Sequence, residues 1–448
     1  MQTFKDMPAQ SPAAVDALAA ALGDFASVQP GANPPWLKSI REAARTGLGR
    51  IGFPNTRQEE WRFTSMAPLL QLPLHPAAPN GRHVTARDIA PFRLEGMGHC
   101  LVFVDGWFRE DLSALPGRAG AVQMGGLRAQ LAGNPRELEQ DLARHAGCGE
   151  NFFTALNTAF FQDGAFISAP AGATVEEPVQ LLFLAASERP GATVHSRALI
   201  LAGKGSGLKI VESYASLTDT PHLTNAVTEL VLGAEARVEH CRLQNENGRA
   251  FHVSTVQAVQ GRGSHWISHS IATGARLARN QVQTLLDAEG AEAVLNGLYL
   301  GRDEQLIDHH TVVDHAKPHC ESHEFFHGIL TDRSHGVFNG KIFVRQDAQK
   351  TNAKQTNRNL VLSDNATIDT KPQLEIFADD VKCTHGATIG QLNDEALFYL
   401  RSRGIGAAQA RRMLIRAFAN DVVERITIAP AREQLDQLLA GRFESAAI

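Results

Sequence analysis

The sequence lacks the features that mark several large classes of protein. Its five cysteines (Cys100, Cys148, Cys241, Cys320 and Cys383) form no C-x-x-C pair and are odd in number. This argues against a disulfide framework and against a zinc ribbon, and it predicts reduced thiols. Positive charge is not in excess, because 43 Lys and Arg face 48 Asp and Glu and the formal net charge is −5. We therefore expect no nucleic-acid partner.

Long apolar runs and a secretory leader are also absent. Met1 to Gln10 contains no cationic region followed by an apolar stretch, and no run of about 18 apolar residues occurs. The expectation is a cytoplasmic protein without membrane insertion. A phosphate loop is incomplete, since Gly336 to Lys341 is one residue short and Ile342 stands where Ser or Thr should bind magnesium. We predict no nucleotide site in this chain, and the sequence carries no signal for or against a flavin.

The first 160 residues predict a mixed, mostly helical N-terminal domain, residues 1–160. Apolar residues recur at helical spacing from Ser11 to Ala26 and again from Trp36 to Leu48. Leu101 to Val104 favours a short strand, and Leu127 to Thr158 returns to helical periodicity.

The middle of the chain, residues 161–391, predicts a mainly β domain built from repeats. Gly205, Gly233, Gly261 and Gly290 follow one another at intervals of 28, 28 and 29 residues, between short runs rich in β-branched residues. A fixed period of this size is typical of units that stack to bury a shared core, which favours a β-solenoid. The alternative is an ordinary β-sandwich. Helical segments on both sides favour the solenoid, because its open ends need caps.

From Asp394 the pattern becomes helical again. The apolar residues of Ala407 to Phe418 share one face, and a last helical segment runs from about Arg432 to Leu439. We predict a C-terminal helical domain over residues 392–448.

Seven histidines crowd into one stretch: His309, His310, His315, His319, His323, His327 and His335. Several are four apart, and imidazole is a good ligand for zinc or iron. However, four residues of strand cover about 13 Å, too far for neighbours to share one ion. The pattern therefore favours interior ladders or a polar interface, and a metal site at His319, His323 and His327 is the alternative.

A second candidate is the pair Cys383 and His385 in Asp379-Asp-Val-Lys-Cys-Thr-His-Gly-Ala-Thr388. Residues two apart share one face of a strand. A thiol beside an imidazole can hold iron or sulfur, or can act as nucleophile and base. The alternative is a buried structural cysteine next to a surface histidine.

Four ordered segments carry a family resemblance: Asn357-Arg-Asn-Leu-Val-Leu-Ser363, Lys371-Pro-Gln-Leu-Glu-Ile376, the Cys383–His385 segment, and Leu397-Phe-Tyr-Leu-Arg-Ser-Arg-Gly-Ile405. Weaker matches are Phe53-Pro54 with Glu59-Glu-Trp-Arg-Phe-Thr64, and Leu156-Asn-Thr-Ala-Phe160 with Asp163-Gly164. From about residue 50 to 425 the chain resembles the SufB/SufD family of iron–sulfur cluster assembly proteins, and within it the SufD branch.

The resemblance implies a right-handed parallel β-helix between helical domains. It implies a scaffold subunit, not an enzyme, in which an iron–sulfur cluster is held transiently at an interface with SufB. His385 would be the ligand from this chain, together with a cysteine of SufB, and Cys383 lies beside it. The ATPase SufC would hydrolyse ATP and bind the C-terminal helices, through Leu397, Phe398, Tyr399, Arg403, Gly404, Ile405 and Phe418. An isolated chain is expected to form a homodimer.

Two other readings compete with the scaffold. A metal-dependent β-helix enzyme acting on a polysaccharide would need carboxylates and aromatic rings along its surface. Aromatic residues make up only 6% of the chain, and Trp107 and Trp266 are isolated. A SufB-like subunit is disfavoured because the SufD-type motif around Cys383 and His385 is intact.

Overall fold

The computed structural model describes residues 21, 23–25, 32–79, 82–115, 122–149 and 151–445. The predicted helix from Ser11 to Ala26 lies mostly outside these residues. The strands, in chain order, are β1 (His75–Pro76), β2 (His99–Val104), β3 (Trp107–Phe108), β4 (Gln123–Gly126), β5 (Gly164–Ala169), β6 (Val179–Ala185), β7 (Ala192–Val194), β8 (Arg197–Ala202), β9 (Gly207–Ser216), β10 (His222–Leu232), β11 (Arg237–Asn245), β12 (Phe251–Gln260), β13 (His265–Ala272), β14 (Leu277–Leu286), β15 (Glu292–Gly301), β16 (Leu306–His315), β17 (Glu321–Leu330), β18 (His335–Val344), β19 (Asn352–Val361), β20 (Thr367–Ile376) and β21 (Lys382–Gly390).

These strands form a parallel β-solenoid, so the predicted mainly β fold is confirmed and the sandwich alternative is wrong. From β9 to β19 each strand pairs in parallel with the strand two positions later. The even-numbered strands from β8 to β20 lie in one sheet, called here the first sheet. The odd-numbered strands from β9 to β21 lie in the other, called the second sheet. One strand from each sheet, with its turns, makes a rung.

Stacked turns explain the sequence period. In one row of turns the third position has a positive φ in seven successive rungs, at Gly172, Gly205, Glu235, Gly263, Gly290, His319 and Lys350. The amide of each donates to the next rung, as Gly205 N–H does to the Ala234 carbonyl and His319 N–H to that of Gln349. Gly205 and Gly290 therefore occupy the left-handed position that glycine tolerates best.

Gly233 and Gly261 play a different part, so the four glycines of the sequence repeat are not equivalent. Both occur two positions earlier in the turn, where their amides donate to Ala202 and Leu232 of the rung before. A Cβ atom at either would approach that rung's backbone to within about 2.8 Å. Close packing of turn on turn selects glycine there.

Helices cover the outer faces of both sheets. The N-terminal region supplies α1 (Pro35–Ile51), α2 (Ala86–Ile89), α3 (Leu127–Gly133), α4 (Pro135–Leu138) and α5 (Phe152–Phe160), with 3-10 turns at Glu59–Trp61, Ala67–Gln71, Ala90–Phe92 and Glu110–Leu112. Its core packs on outward residues of the first sheet, including Phe251, Leu277 and Leu306. This region also adds strands, since β2 pairs in parallel with β6 and β4 pairs with β5.

The C-terminal helices are α6 (Asp394–Ser402), α7 (Ala407–Val423) and α8 (Ala429–Ser445). Ile415, Ala419 and Val422 of α7 pack on outward residues of the second sheet such as Cys241 and Ile329. Helices at both ends of the chain are therefore confirmed, while the predicted domain boundaries and the handedness of the solenoid stay predictions. No helix among the described residues has the length and apolar character needed to cross a bilayer.

Candidate functional site

The solenoid ends in a rung that no further strand covers within the described part of the chain. Residues of β19 largely alternate between buried and more exposed positions, as expected for a rung with neighbours on both sides. In contrast, β20 is half-buried between its two exposed end residues, and most of β21 is exposed. Ile376, Phe377 and Ile389 are large apolar side chains that stay exposed here. We call the β20–β21 rung the open end.

Cys383 and His385 both lie on β21 at positions that face the solenoid interior. Their register partners in β19 are Ala353 and Gln355, and both of these are buried. Side chains at matching positions of parallel strands stack above one another at about 4.8 Å. The structure therefore places the predicted pair in the interior columns of the last rung, where the interior meets the surface.

The two side chains have different surroundings. Cys383 is half-buried against the apolar cluster of Ile342, Val344 and Ala353, and this burial raises the pKa of its thiol, opposed by a hydrogen bond from the Ala353 backbone. The thiol is therefore held protonated and packed. His385 is exposed, so its imidazole is the accessible metal-ligating group of the pair.

Beneath His385 the interior column continues with Gln355 and then Glu324. Gln355 Nε2 donates to Glu324 Oε1 at 3.0 Å, and the Thr311 hydroxyl donates to the other carboxylate oxygen. Burial raises the pKa of Glu324 from its ordinary value of 4.5 to about 7, although both hydrogen bonds act in the opposite direction. A carboxyl group that titrates near neutrality thus lies two rungs below the open end.

This carboxyl should give the protein a distinct pH dependence. Since its pKa is higher in the fold than in the unfolded chain, folding favours the protonated form, and stability is lost as the pH rises from about 4.5 through 7. Replacing Glu324 by glutamine removes this loss, of the order of 3 kcal/mol for a shift of this size. Denaturation of the parent and Glu324→Gln chains should give a difference in free energy of unfolding that increases between pH 5 and pH 8. Glu321→Gln, on the exposed face of the same strand, is the control; parallel pH curves for parent and Glu324→Gln would contradict the assignment.

Deeper in the solenoid lies a second group of buried charges that the sequence reasoning missed. Glu212 is within 3.1 Å of His240 and 3.3 Å of Arg242, all three inside the solenoid. Burial alone would raise the pKa of Glu212, but these partners outweigh it and lower the value to about 2. Glu246 is held in the same way between His222 and His252. The sequence signal was the alternation within β11, where His240, Arg242 and Gln244 occupy every second position.

The crowded histidines are dispersed by the fold. His319 occupies a left-handed turn position, His323 is on the outer face of β17 beside Glu321, and His327 lies beneath α7. The structure does not bring these three predicted ligands together, and the described residues contain no group of three or more His, Cys, Asp or Glu side chains placed to hold a metal ion. His315 is in the interior, where its Nε2 is 2.9 Å from the Ser322 hydroxyl.

His327 instead docks the C-terminal helices. Its ring stacks on Phe418 with centroids 4.2 Å apart, and its Nδ1 is 2.9 Å from the Phe418 carbonyl. Phe418, one of the residues predicted to bind an ATPase, is therefore engaged with the solenoid.

The other predicted ATPase-binding residues lie at the α6–α7 junction. Phe398 is 75% exposed and Tyr399 57%. Arg403 lies over the Tyr399 ring, Gly404 has φ +86°, and Leu397 and Ile405 are half-buried. The exposed large apolar side chains of α6 and α7 are Phe398, Tyr399 and Met413, which we call the aromatic knuckle.

Two of the segments that carried the resemblance touch each other. Glu59 forms an ion pair with Lys371 of β20, and Glu60 lies 3.2 Å from His310 of β16. Trp61 packs under the Arg279 guanidinium at 3.9 Å. This contact, called here the clasp, fastens the N-terminal region along the first sheet as far as the open end.

Comparison with known proteins agrees with this architecture. The SufBD core domain of the SUF iron–sulfur cluster assembly system matches residues 183–418, and the SufBD N-terminal region matches residues 28–181. The chain belongs to the SufBD family. It is 34% identical over 415 residues to an iron–sulfur cluster assembly SufBD family protein of Synechocystis, covering 91% of each chain. It is 30% identical over 409 residues to the iron–sulfur cluster assembly protein SufD of Escherichia coli, covering 89% of this chain and 92% of that one.

A third relative is the chloroplastic protein ABCI7 of Arabidopsis thaliana, 30% identical over 429 residues, with 94% of this chain and 88% of that one covered. The predicted kinship with SufD is confirmed. As a SufBD family member, the chain is a component of iron–sulfur cluster assembly and not a classical enzyme. This disfavours the polysaccharide enzyme, and Trp266 is wholly buried inside the solenoid.

Proposed function

We propose that this chain is the scaffold subunit of a SufBCD-type complex, in which an iron–sulfur cluster is built at the open end between this chain and a SufB-like subunit. The observation that carries the proposal is the placement of His385, an exposed imidazole in an interior column of an uncovered rung. The cluster is the cargo of the complex, so weak and few ligands are suitable. Borderline imidazole from this chain and soft thiolate from the partner fit iron and sulfide while allowing release.

The open end has the character of a surface that is completed by another chain. No described strand pairs with the outer edges of β20 and β21, and exposed edges invite pairing with further strands. The exposed side chains of Ile376, Phe377 and Ile389 supply apolar contact area beside those edges. A partner that ends in a similar solenoid, as a SufB-like subunit would, can cover both features, and a second copy of this chain would do so in an isolated homodimer.

The energy for opening such an interface would come from outside this chain. A SufC-like ATPase bound at the aromatic knuckle would act on α6 and α7, and α7 lies against the second sheet at His327. Rigid-body movement of these helices would then reach the solenoid. We place the complex in the cytoplasm.

The test is iron and sulfide bound by the complex, purified after co-expression with the SufB-like and SufC-like chains and reconstituted with ferrous iron and sulfide. His385→Ala should lower the bound iron and the bound sulfide at least roughly fivefold each, because one of few ligands is lost. His323→Ala, an exposed histidine on the outer face of the second sheet, should change neither. Cys383→Ser should retain most of the iron, since the thiol is packed and protonated. Full iron and sulfide in the His385→Ala complex would refute the proposal.

A further inference from the structure

The amide of Gln355 is held more tightly than a packing role requires. It is 1% exposed, and its Nε2 donates to Glu324 Oε1 at 3.0 Å, which fixes which end of the amide faces the carboxylate. Its flat face lies on Gly340, where an added Cβ would come within 2.3 Å of Nε2 and 2.6 Å of Cδ. Only glycine at position 340 leaves room for this arrangement.

The other end of the same amide is unused. Gln355 Oε1 is buried and has no hydrogen-bond partner among the described protein atoms. A buried carbonyl oxygen left without a donor costs about 1–3 kcal/mol. Native folds rarely retain such an atom unless a further group or an ordered water satisfies it.

The register indicates which group that is. Gln355 is the direct strand partner of His385 in the last rung, so the two side chains belong to one interior column about 4.8 Å apart. An imidazole that binds iron through one nitrogen carries its proton on the other. Histidine ligands almost always donate that N–H to a carboxylate, a carbonyl or a water, which fixes the tautomer and the ring orientation.

We infer that Gln355 is a positioning residue for His385: its Oε1 accepts the ring N–H of His385 when the other ring nitrogen binds cluster iron, and Glu324 keeps the amide in the orientation that presents this oxygen. The inference rests on the proposed function. It extends the site from a single exposed side chain to the column His385, Gln355 and Glu324. Gly340 provides the space in which the amide lies.

Gln355→Met tests this, since methionine keeps the size of the side chain and removes both polar atoms. Four reconstituted complexes with the partner chains are compared: parent, Gln355→Met, His385→Ala and the double variant. Loss of iron to a ferrous chelator reports the strength of the site. With His385 present, Gln355→Met should weaken iron binding about 10- to 100-fold, the usual effect of losing a hydrogen-bond partner of a ligand. In the His385→Ala background it should change binding less than twofold.

Two further measurements separate positioning from mere packing. Thermal unfolding should show that Gln355→Met shifts the midpoint equally in both backgrounds. Pulsed electron paramagnetic resonance of the reduced, ¹⁵N-histidine-labelled complex should show a changed coupling to the remote ring nitrogen in Gln355→Met. If Gln355→Met does not fold, Gly340→Ala displaces the same amide by its Cβ and should give the same weakening.

The outcomes are distinct. Iron binding that falls in His385→Ala but is unchanged in Gln355→Met overturns the positioning role and leaves the proposed function intact. Equal weakening by Gln355→Met with and without His385 also overturns it, because the effect then bypasses the imidazole. Unchanged iron in His385→Ala overturns the proposed function and this inference together.

Discussion

Replacement of Arg197 by methionine is expected to lower the free energy of unfolding by about 3–5 kcal/mol, the range for breaking a fully buried ion pair. Arg197 on β8 and Glu229 on β10 are wholly buried and 2.8 Å apart. The guanidinium also donates to Asn157 and Thr158 of α5, at 3.2 and 3.0 Å. Removing the cation would leave the Glu229 carboxylate charged and uncompensated in the interior.

Glu229 has further partners that make this pair a junction. Its carboxylate accepts the backbone N–H groups of Ala143, His145 and Ala146 at 2.8–2.9 Å. The pair therefore joins the solenoid to the N-terminal region as well as strand to strand.

Denaturation with urea measures this effect against two controls. Arg333→Met breaks an exposed pair with Glu304 of similar length, 2.6 Å, and should cost no more than about 1 kcal/mol. Adding Glu229→Gln to Arg197→Met removes the stranded charge and should restore part of the loss. A cost for Arg197→Met as small as that for Arg333→Met would show that the buried pair contributes little.

Loss of the two aromatic side chains of the aromatic knuckle is expected to weaken strongly the binding of the proposed SufC-like ATPase. Phe398 and Tyr399 are the most exposed aromatic pair at the α6–α7 junction, and buried aromatic anchors of an interface typically contribute 2 kcal/mol or more each. The double variant Phe398→Ala, Tyr399→Ala should weaken binding of the SufC-like chain at least roughly 100-fold in calorimetry, since 1.4 kcal/mol corresponds to a factor of ten.

Phe377 offers a reciprocal control at the open end. Its side chain is 58% exposed, and its ring centroid lies 5.3 Å from that of Phe343 on β18. Phe377→Ala should leave the affinity for the ATPase unchanged and should weaken binding of the SufB-like chain. If both variants weakened the same partner, the assignment of separate surfaces would be wrong.

The architecture was predictable from the sequence because each rung of a solenoid repeats the same turns, so the residues that the turns require recur at a fixed interval. The glycines at about 28-residue intervals revealed the rung, although Gly205 and Gly233 occupy different turn positions. A left-handed position can also be taken by other residues, as it is at Glu235 and His319. The glycine series alone therefore could not give the turn register, and the row continues where the glycines stop.

The site was predictable only in part. Spacing placed Cys383 and His385 on one face of a strand, which the register confirms. Gln355 and Glu324 went unnoticed because their relation to His385 is vertical: each neighbour in the column lies about 30 residues away along the chain. The clasp between Glu59 and Lys371 spans 312 residues, and no periodicity predicts such a contact.

The histidine stretch shows the opposite failure, a pattern that invites a site the fold does not form. His319 lies in a turn, and His323 lies on the outer face of β17. His327 is on the same strand, beneath α7. His323 and His327 do share the outer face of β17, but four residues of strand separate them by about 13 Å, too far for both to bind one ion. Side chains meet instead along the columns, which run across rungs, or across the interior between the two sheets, as those of Thr311 and Glu324 do.

The open end also makes the number of rungs a functional quantity. The rung above Gln355 helps to bury it, whereas no described strand lies above β21 and His385 is exposed. A chain longer by a single unit of about 30 residues would bury the imidazole as Gln355 is buried now, and a chain shorter by one unit would present Gln355 in its place. The length of the repeat array, counted in whole units, decides which residue of the column meets the partner.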